Sequence, residues 1–101
     1  MLLTEKEEKA LIAITEEALE NMGGEEPNDL HEDNFSWFNR SVISTRTCFS
    51  NHVAAGLMSS LEEKGLIFHS EPDHEFGWCL EEEGIDKAQA LLSNDSLLTM
   101  A

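Results

Sequence analysis

The sequence predicts a single, mainly α-helical domain with one small antiparallel β-hairpin. Apolar residues recur at helical spacing in several separate stretches, and two short strand-like runs flank a turn that contains Pro72. The length of 101 residues suits one domain, and 41% apolar residues are enough to form a small core.

The first helix is predicted over residues 5–22, within an N-terminal unit of residues 1–24. Thr4 and Glu7 have the spacing of a capping box, in which each side chain bonds to the other residue's backbone. Gly23 and Gly24 are expected to end the helix. Residues 25–34 are polar and acidic and include Pro27, so they are predicted to form a loop. The apolar stripe of the helix consists of Leu11, Ile14, Ala18 and Met22.

Two helices separated by a tight turn are predicted in the middle of the chain. The aromatic residues 35–38 suit a short strand or an anchoring segment. Asn39 or Ser41 would then cap a second helix that runs to about Arg46. Residues 47–49 form the turn, and Ser50 caps a third helix that extends through Lys64, where Gly65 stops it.

The hairpin follows this third helix. Residues 66–70 and 76–80 are predicted strands, and residues 71–75 are the turn between them. A fourth helix is predicted over residues 81–92, and residues 93–101 are predicted to be a tail. The order of helix, short strand, helix, turn, helix, hairpin and helix is that of a winged helix, in which residues 35–80 are the helix-turn-helix and wing.

Two stretches of sequence resemble winged-helix regulators of the MarR type. Residues 56–68, GLMSSLEEKGLIF, are similar to the end of their recognition helix and the first wing strand. Residues 77–92, GWCLEEEGIDKAQALL, are similar to the second wing strand and the helix after it. The resemblance covers residues 35–92 and extends to small winged-helix proteins of phages and bacteria. It implies a winged-helix fold and a DNA-binding role in transcription regulation.

The charge is strongly acidic and unevenly distributed. Twenty-one acidic residues against six basic ones give a net charge of −15. Residues 1–34 carry −9 and residues 71–101 carry −7, whereas residues 34–61 contain no carboxylate. Many residues of that acid-free stretch are polar, so burial in the core does not explain it. We therefore expect one surface that can approach an anionic partner.

Double-stranded DNA is the partner that this arrangement predicts. Ser50, Asn51 and His52 lie in the first turn of the third helix, where recognition helices read base edges, and an asparagine can bond to adenine. Arg40 and Arg46 are expected to contact phosphates, with Lys64 at the periphery. A homodimer would double these few basic contacts. The first and last helices are its expected interface, together with Leu97 and Leu98 of the tail.

An acidic protein-interaction module is the alternative interpretation. The acidic ends of the chain can imitate a row of phosphates and occupy a nucleic-acid-binding protein, such as a polymerase subunit or a host nuclease. Acidic residues also simply favour solubility. The positions of Glu71, Asp73 and Glu75 would discriminate between the two, because acids beside the third helix would block its approach to DNA.

The remaining candidate sites are weaker, and we expect no enzyme activity and no cofactor or metal. His69, His74 and the wing acids could supply metal ligands or sense pH, but a solvated turn explains them better. Cys48 lies near Arg46, which could activate its thiol, yet the sequence places no base beside it. We expect both Cys48 and Cys79 to be buried structural thiols. The aromatic residues are expected in the core: Phe35, Trp37, Phe38, Phe68, Phe76 and Trp78.

Composition also predicts the compartment. The two cysteines are 31 positions apart without a CxxC motif, which argues against a disulfide scaffold or a cysteine-rich zinc module. No apolar run approaches the roughly 18 residues of a membrane span. The first residues lack a basic stretch followed by an apolar block, so no signal peptide is expected. These features predict a cytoplasmic protein that does not interact with membranes.

Overall fold

The computed structural model describes residues 3–32, 37–69 and 77–100, with side chains described up to residue 93. The described elements are mainly helical, with a small antiparallel sheet. In chain order they are α1 (Glu5–Met22), a 3-10 helix (Pro27–His31), α2 (Arg40–Thr47), α3 (Asn51–Glu63), β1 (Ile67–His69), β2 (Trp78–Leu80) and α4 (Glu82–Met100). Among these residues, no helix is both long and apolar enough to cross a membrane.

Helix α1 has the predicted boundaries, because both of its ends are capped by the expected residues. The Thr4 hydroxyl accepts a hydrogen bond from the Glu7 N–H, and the Glu7 carboxylate accepts one from the Thr4 N–H. Gly23 adopts the left-handed conformation with φ 74°, and its N–H bonds to the Leu19 carbonyl. The predicted loop after α1 contains a short 3-10 helix, in which Pro27 and Leu30 are buried.

Helices α2 and α3 pack against each other and against α1. Asn39 caps α2, where the sequence allowed either Asn39 or Ser41. Ser50 caps α3 as predicted, since its side chain accepts a hydrogen bond from the Val53 N–H at 3.2 Å. Between the two helices, Cys48 has a left-handed backbone with φ 66°, which turns the chain sharply.

The predicted hairpin is present, with strands shorter than the sequence suggested. Phe68 pairs with Cys79, and His69 pairs with Trp78. Phe38 adds an isolated bridge to β2, because its N–H donates to the Trp78 carbonyl at 2.9 Å. This bridge confirms the short strand only at Phe38. The predicted turn at residues 71–75, together with Phe35 and Phe76, lies outside the described residues.

Helix α4 is longer than predicted and continues through residues 93–100, for which the sequence predicts a tail. It packs against α1, the 3-10 helix and β2. Two polar contacts join it to the 3-10 helix. His31 Nε2 lies 2.8 Å from Asp86 Oδ1, and the Asn28 N–H donates to Gln89 Oε1 at 3.1 Å. The helix therefore begins as predicted, within one residue, and ends later.

The core lies where α1, α3 and the start of α4 meet the sheet. Each fully buried large apolar side chain contributes about 2 kcal/mol by leaving water. Gly84 lets α4 approach Leu66, the residue before β1, because a Cβ at this position would overlap the Leu66 carbonyl oxygen. The largest fully buried apolar side chains are Phe38, Leu11, Ile14, Leu30, Ile43, Leu61, Ile67, Leu80 and Ile85.

Candidate nucleic-acid interface

A surface groove of about 480 Å³ lies beside the outer face of α3. It is lined by the start of α2, by residues of α3 and by Trp78 of β2. Its described lining contains no carboxylate, and Arg40 is its one charged side chain. We call this feature the α3 groove; its lining residues are Asn39, Arg40, Ser41, Asn51, Ala55, Met58, Ser59 and Trp78.

The α3 groove unites two of the six predicted contact residues, Arg40 and Asn51. Arg40 is exposed at the first position of α2 and makes no ion pair with a described residue. Asn51 is exposed at the first position of α3, and its Oδ1 accepts a hydrogen bond from the Ser44 hydroxyl at 2.8 Å. This bond crosses the turn between the two helices and holds the Asn51 amide in one orientation.

Ser50 and His52 flank Asn51, and only the Ser50 side chain caps the helix. The Ser50 hydroxyl caps α3, so its oxygen is already engaged with the Val53 N–H. His52 is exposed at the second position of the helix. The outer face continues with small side chains, since Gly56 and Ser59 are exposed and Ala55 is half-buried. The start of α3 therefore offers Asn51 and His52 to a partner, while Ser50 serves the helix itself.

Arg46 points to α1 and not to the α3 groove. Its guanidinium contacts Glu17 Oε1 at 3.0 Å and forms a second ion pair with Glu20. Burial lowers the pKa of Arg46, but the hydrogen bonds with Glu20 and Glu17 outweigh burial and raise it overall. The predicted phosphate contact is thus occupied by two carboxylates that lie 29 and 26 residues earlier in the chain.

Lys64 is also engaged within the protein. Its ammonium group donates to both carboxylate oxygens of Glu7, at 2.7 and 2.8 Å. The Glu7 side chain is only 4% exposed and that of Lys64 is 31% exposed, so this pair joins the end of α3 to the start of α1 at the edge of the core. The hydrogen bond from Lys64 is the main cause that lowers the pKa of Glu7, and the Thr4 backbone N–H adds to it.

Two tryptophans lie at or near this surface. Trp78 is half-buried and stacks on His69, with 4.2 Å between the ring centroids and 6° between their planes. Trp37 is 42% exposed, so the expectation that it lies in the core is wrong, whereas Phe38 is buried as expected. Phe68 is half-buried.

The two cysteines differ in exposure. Cys79 is buried as expected, but Cys48 is exposed, because its left-handed backbone lies in the turn between α2 and α3. The described residues contain no group of three or more potential metal ligands. Glu71, Asp73, His74 and Glu75 lie outside the described residues.

The local sequence could not reveal the partners of Arg46 and Lys64. Glu7 matches a capping box, and Glu17 and Glu20 match the solvent-facing side of an amphipathic helix, so each has a sufficient local explanation. Their second roles depend on helices that meet only in the folded chain. Comparison of this chain with protein-family models, curated proteins and solved structures finds no match in any of the three.

Proposed function

We propose that this chain is a small cytoplasmic winged-helix protein that binds double-stranded DNA through the α3 groove and regulates transcription, without catalysing a reaction. The carboxylate-free lining of the described groove carries the proposal. The net charge of the chain is −15, but the described lining of this groove contains Arg40 and no acidic residue, so a polyanion can approach it without repulsion from a described carboxylate of the lining.

The arrangement of the elements supports the winged-helix part of the proposal. Helices α2 and α3 are joined by a three-residue turn, and the β1–β2 hairpin follows directly. Phe38 bridges β2, which adds the short strand that precedes the helix pair. In this fold α3 is the recognition helix and the hairpin is the wing.

The predicted contacts are revised by the intramolecular ion pairs. Arg40 is the proposed phosphate contact, and Asn51 and His52 are the exposed polar residues at the start of the recognition helix. Arg46 and Lys64 are withdrawn from this role because α1 engages both. One arginine for each protomer releases few counterions, so we expect weak binding by a monomer and a salt slope of about −1.

A homodimer would raise the affinity by presenting two such surfaces. The proposed interface is formed by α1 and α4, which lie at the ends of the chain. A dimer would double the salt slope to about −2. Light scattering measures the oligomeric state directly, and a monomer at high protein concentration would contradict this part of the proposal.

The experiment is fluorescence anisotropy with a 30-base-pair duplex of random sequence, first at low salt and then at rising salt. We expect binding that weakens with salt and is strongly reduced in Arg40→Glu. Arg46→Glu is an unsuitable test, since this change would place a third carboxylate between Glu17 and Glu20 and destabilise the α1–α2 contact.

Lys87→Glu is the matched control. It makes the same change in charge on α4, in a different surface depression lined by Leu66, Glu83, Asp86 and Ala90. If both variants lose affinity equally, general charge and not the groove governs binding. If the folded wild-type protein binds no duplex at low salt, the DNA-binding function is wrong.

An acidic protein-interaction module is the second candidate, and the intramolecular pairing of Arg46 and Lys64 favours it. With both residues engaged, the predicted face has one arginine left, while α1 still carries exposed acidic residues such as Glu16. The test adds this protein to preformed complexes of labelled duplex with purified polymerase subunits and nucleases. Release of the duplex without direct DNA binding by this chain would support the second candidate.

A further inference from the structure

The α3 groove presents hydrogen-bond donors more readily than acceptors. The Asn51 Oδ1 already accepts one hydrogen bond, from the Ser44 hydroxyl at 2.8 Å. Arg40 can only donate, and no described lining residue is a carboxylate. The groove is therefore suited to a ligand rich in acceptors.

Ser44 orients the Asn51 amide. Because its hydroxyl holds Oδ1 at 2.8 Å, the amide nitrogen of Asn51, with two N–H donors, is left for a ligand. An asparagine that reads adenine uses the oxygen and the nitrogen together. Because Oδ1 keeps a second lone pair, this bond alone does not exclude a paired contact with adenine, and the shape of the groove decides between base and phosphate.

The concave shape of the groove favours the same ligand. Base edges lie recessed in the grooves of DNA, about 8.5 Å deep in the major groove, so a protruding helix reaches them and a hollow does not. The sugar–phosphate strand is the part of a duplex that projects outward. Its sugars would lie against the apolar side chains of Ala55, Met58 and Trp78, and its phosphates would face Arg40 and Asn51.

We propose that the α3 groove holds one sugar–phosphate strand of the bound duplex, with Arg40 and the Asn51 amide nitrogen on its phosphate oxygens and Ser44 as the residue that positions Asn51. This inference rests on the proposed DNA-binding function and changes the role of Asn51. Asn51 contributes affinity for any sequence, and sequence preference comes from residues that project beyond the groove, such as His52.

Asn51→Asp tests the proposed phosphate contact most directly. It keeps an oxygen for the Ser44 hydroxyl and places a carboxylate at the start of α3, which favours a helix N-terminus, so the fold is expected to persist. It replaces the donating nitrogen with an acceptor. Ser44→Ala removes the positioning bond, and Thr45→Ala, at the exposed neighbouring position, is its matched control.

The measurement is anisotropy with two 30-base-pair duplexes of unrelated sequence and equal length. We expect Asn51→Asp to weaken binding to both duplexes by the same factor, about tenfold or more, and Ser44→Ala by about threefold on both. Thr45→Ala should match the wild type. Arg40→Gln should make the salt slope less steep by about one for each protomer. Thermal melts establish that each variant is folded.

Each contrary result has a distinct meaning. A carboxylate at position 51 that reads bases would favour cytosine, so a change in preference between the two duplexes overturns the phosphate role. Unchanged binding by Asn51→Asp, or equal effects of Ser44→Ala and Thr45→Ala, also overturns it while leaving DNA binding intact. Absence of wild-type binding to either duplex overturns the proposed function, and this inference with it.

Discussion

At the scale of single residues, Glu7 combines two roles that differ in their range along the chain. Its contact with Thr4 spans three residues and caps α1, whereas its contact with Lys64 spans 57 residues and joins α1 to the end of α3. The first role is visible in the sequence. The second makes Glu7 a nearly buried carboxylate whose ionised form the fold stabilises.

This pair predicts a specific dependence of stability on pH. The pKa of Glu7 in the folded state is lowered from its ordinary value of 4.5, so its contribution is present above that value and is lost as pH falls through the folded pKa. Glu7→Gln retains a capping side chain but removes the charge. We expect it to cost about 2 kcal/mol at pH 7 and progressively less below pH 4.5 in urea unfolding.

Glu5→Gln is the control for that measurement, because the Glu5–Lys9 pair is highly exposed, with side chains 82% and 57% accessible. Its effect should stay below about 0.5 kcal/mol at every pH. A cost for Glu7→Gln that did not change between pH 7 and pH 3 would show that the charge of Glu7 does not contribute.

Two glycines in helices predict opposite effects of the same substitution. At Gly84 a Cβ would overlap the Leu66 carbonyl oxygen, whereas at Gly56 a Cβ would meet nothing within 4 Å. Gly84→Ala should therefore destabilise the protein by about 2 kcal/mol or more, because backbone must move. Gly56→Ala should stabilise it by up to about 1 kcal/mol. Thermal or urea unfolding compares them, and equal shifts would contradict the close approach of α4 to Leu66.

At the scale of elements, α1 organises the helices through its acidic side as well as its apolar one. Its apolar residues pack into the core, and its carboxylates engage Arg46 of α2 and Lys64 after α3. A basic residue that would otherwise face solvent thereby fixes the position of each neighbouring helix. Part of the acidic charge of residues 1–34 therefore stabilises the packing of α1 against its neighbouring helices.

Arg46→Met tests this connection while keeping an apolar stem of similar length. The side chains of Arg46 and Glu17 are 24% and 33% exposed, so solvent weakens their attraction, and we expect a loss of about 1 kcal/mol. In the Arg46→Met background, Glu17→Gln should have almost no further effect on the free energy of unfolding. Additive costs in this double-mutant cycle would show that the two residues do not interact.

At the scale of the whole molecule, the net charge of −15 opposes compaction, because acidic side chains repel each other across the surface. Added salt screens this repulsion and also weakens the ion pairs described above. The repulsion involves many more groups than the pairs do, so the first effect should be larger.

Stability should therefore rise with salt at neutral pH. We expect the urea midpoint to increase between about 0.02 M and 0.5 M NaCl at pH 7. Salt screens repulsion between carboxylates that lie farther apart than the Debye length, which is about 10 Å at 0.1 M. Near pH 4.3, the isoelectric point, the increase should disappear. A fall in the midpoint with salt at pH 7 would mean that the attractive ion pairs dominate.

The sequence alone was sufficient for features that depend on neighbouring residues. Helix caps and glycine stops operate over three to five residues, so Thr4, Ser50 and Gly23 located the helix ends closely. It missed the extension of α4 to Met100, because residues 93–100 lack a regular apolar pattern. It identified Arg40 as a basic residue on or beside the second helix, and Asn51 from its place in the first turn of the third.

Only the tertiary structure decided which polar residues remain available to a partner. The local sequence does not show that Arg46 and Lys64 have intramolecular partners, yet each meets a carboxylate on α1 when the helices pack. The orientation of Asn51 likewise depends on Ser44, which α2 brings across the turn. The physical reason is that a cap is a contact within one segment, whereas an ion pair between helices requires the whole chain to fold first.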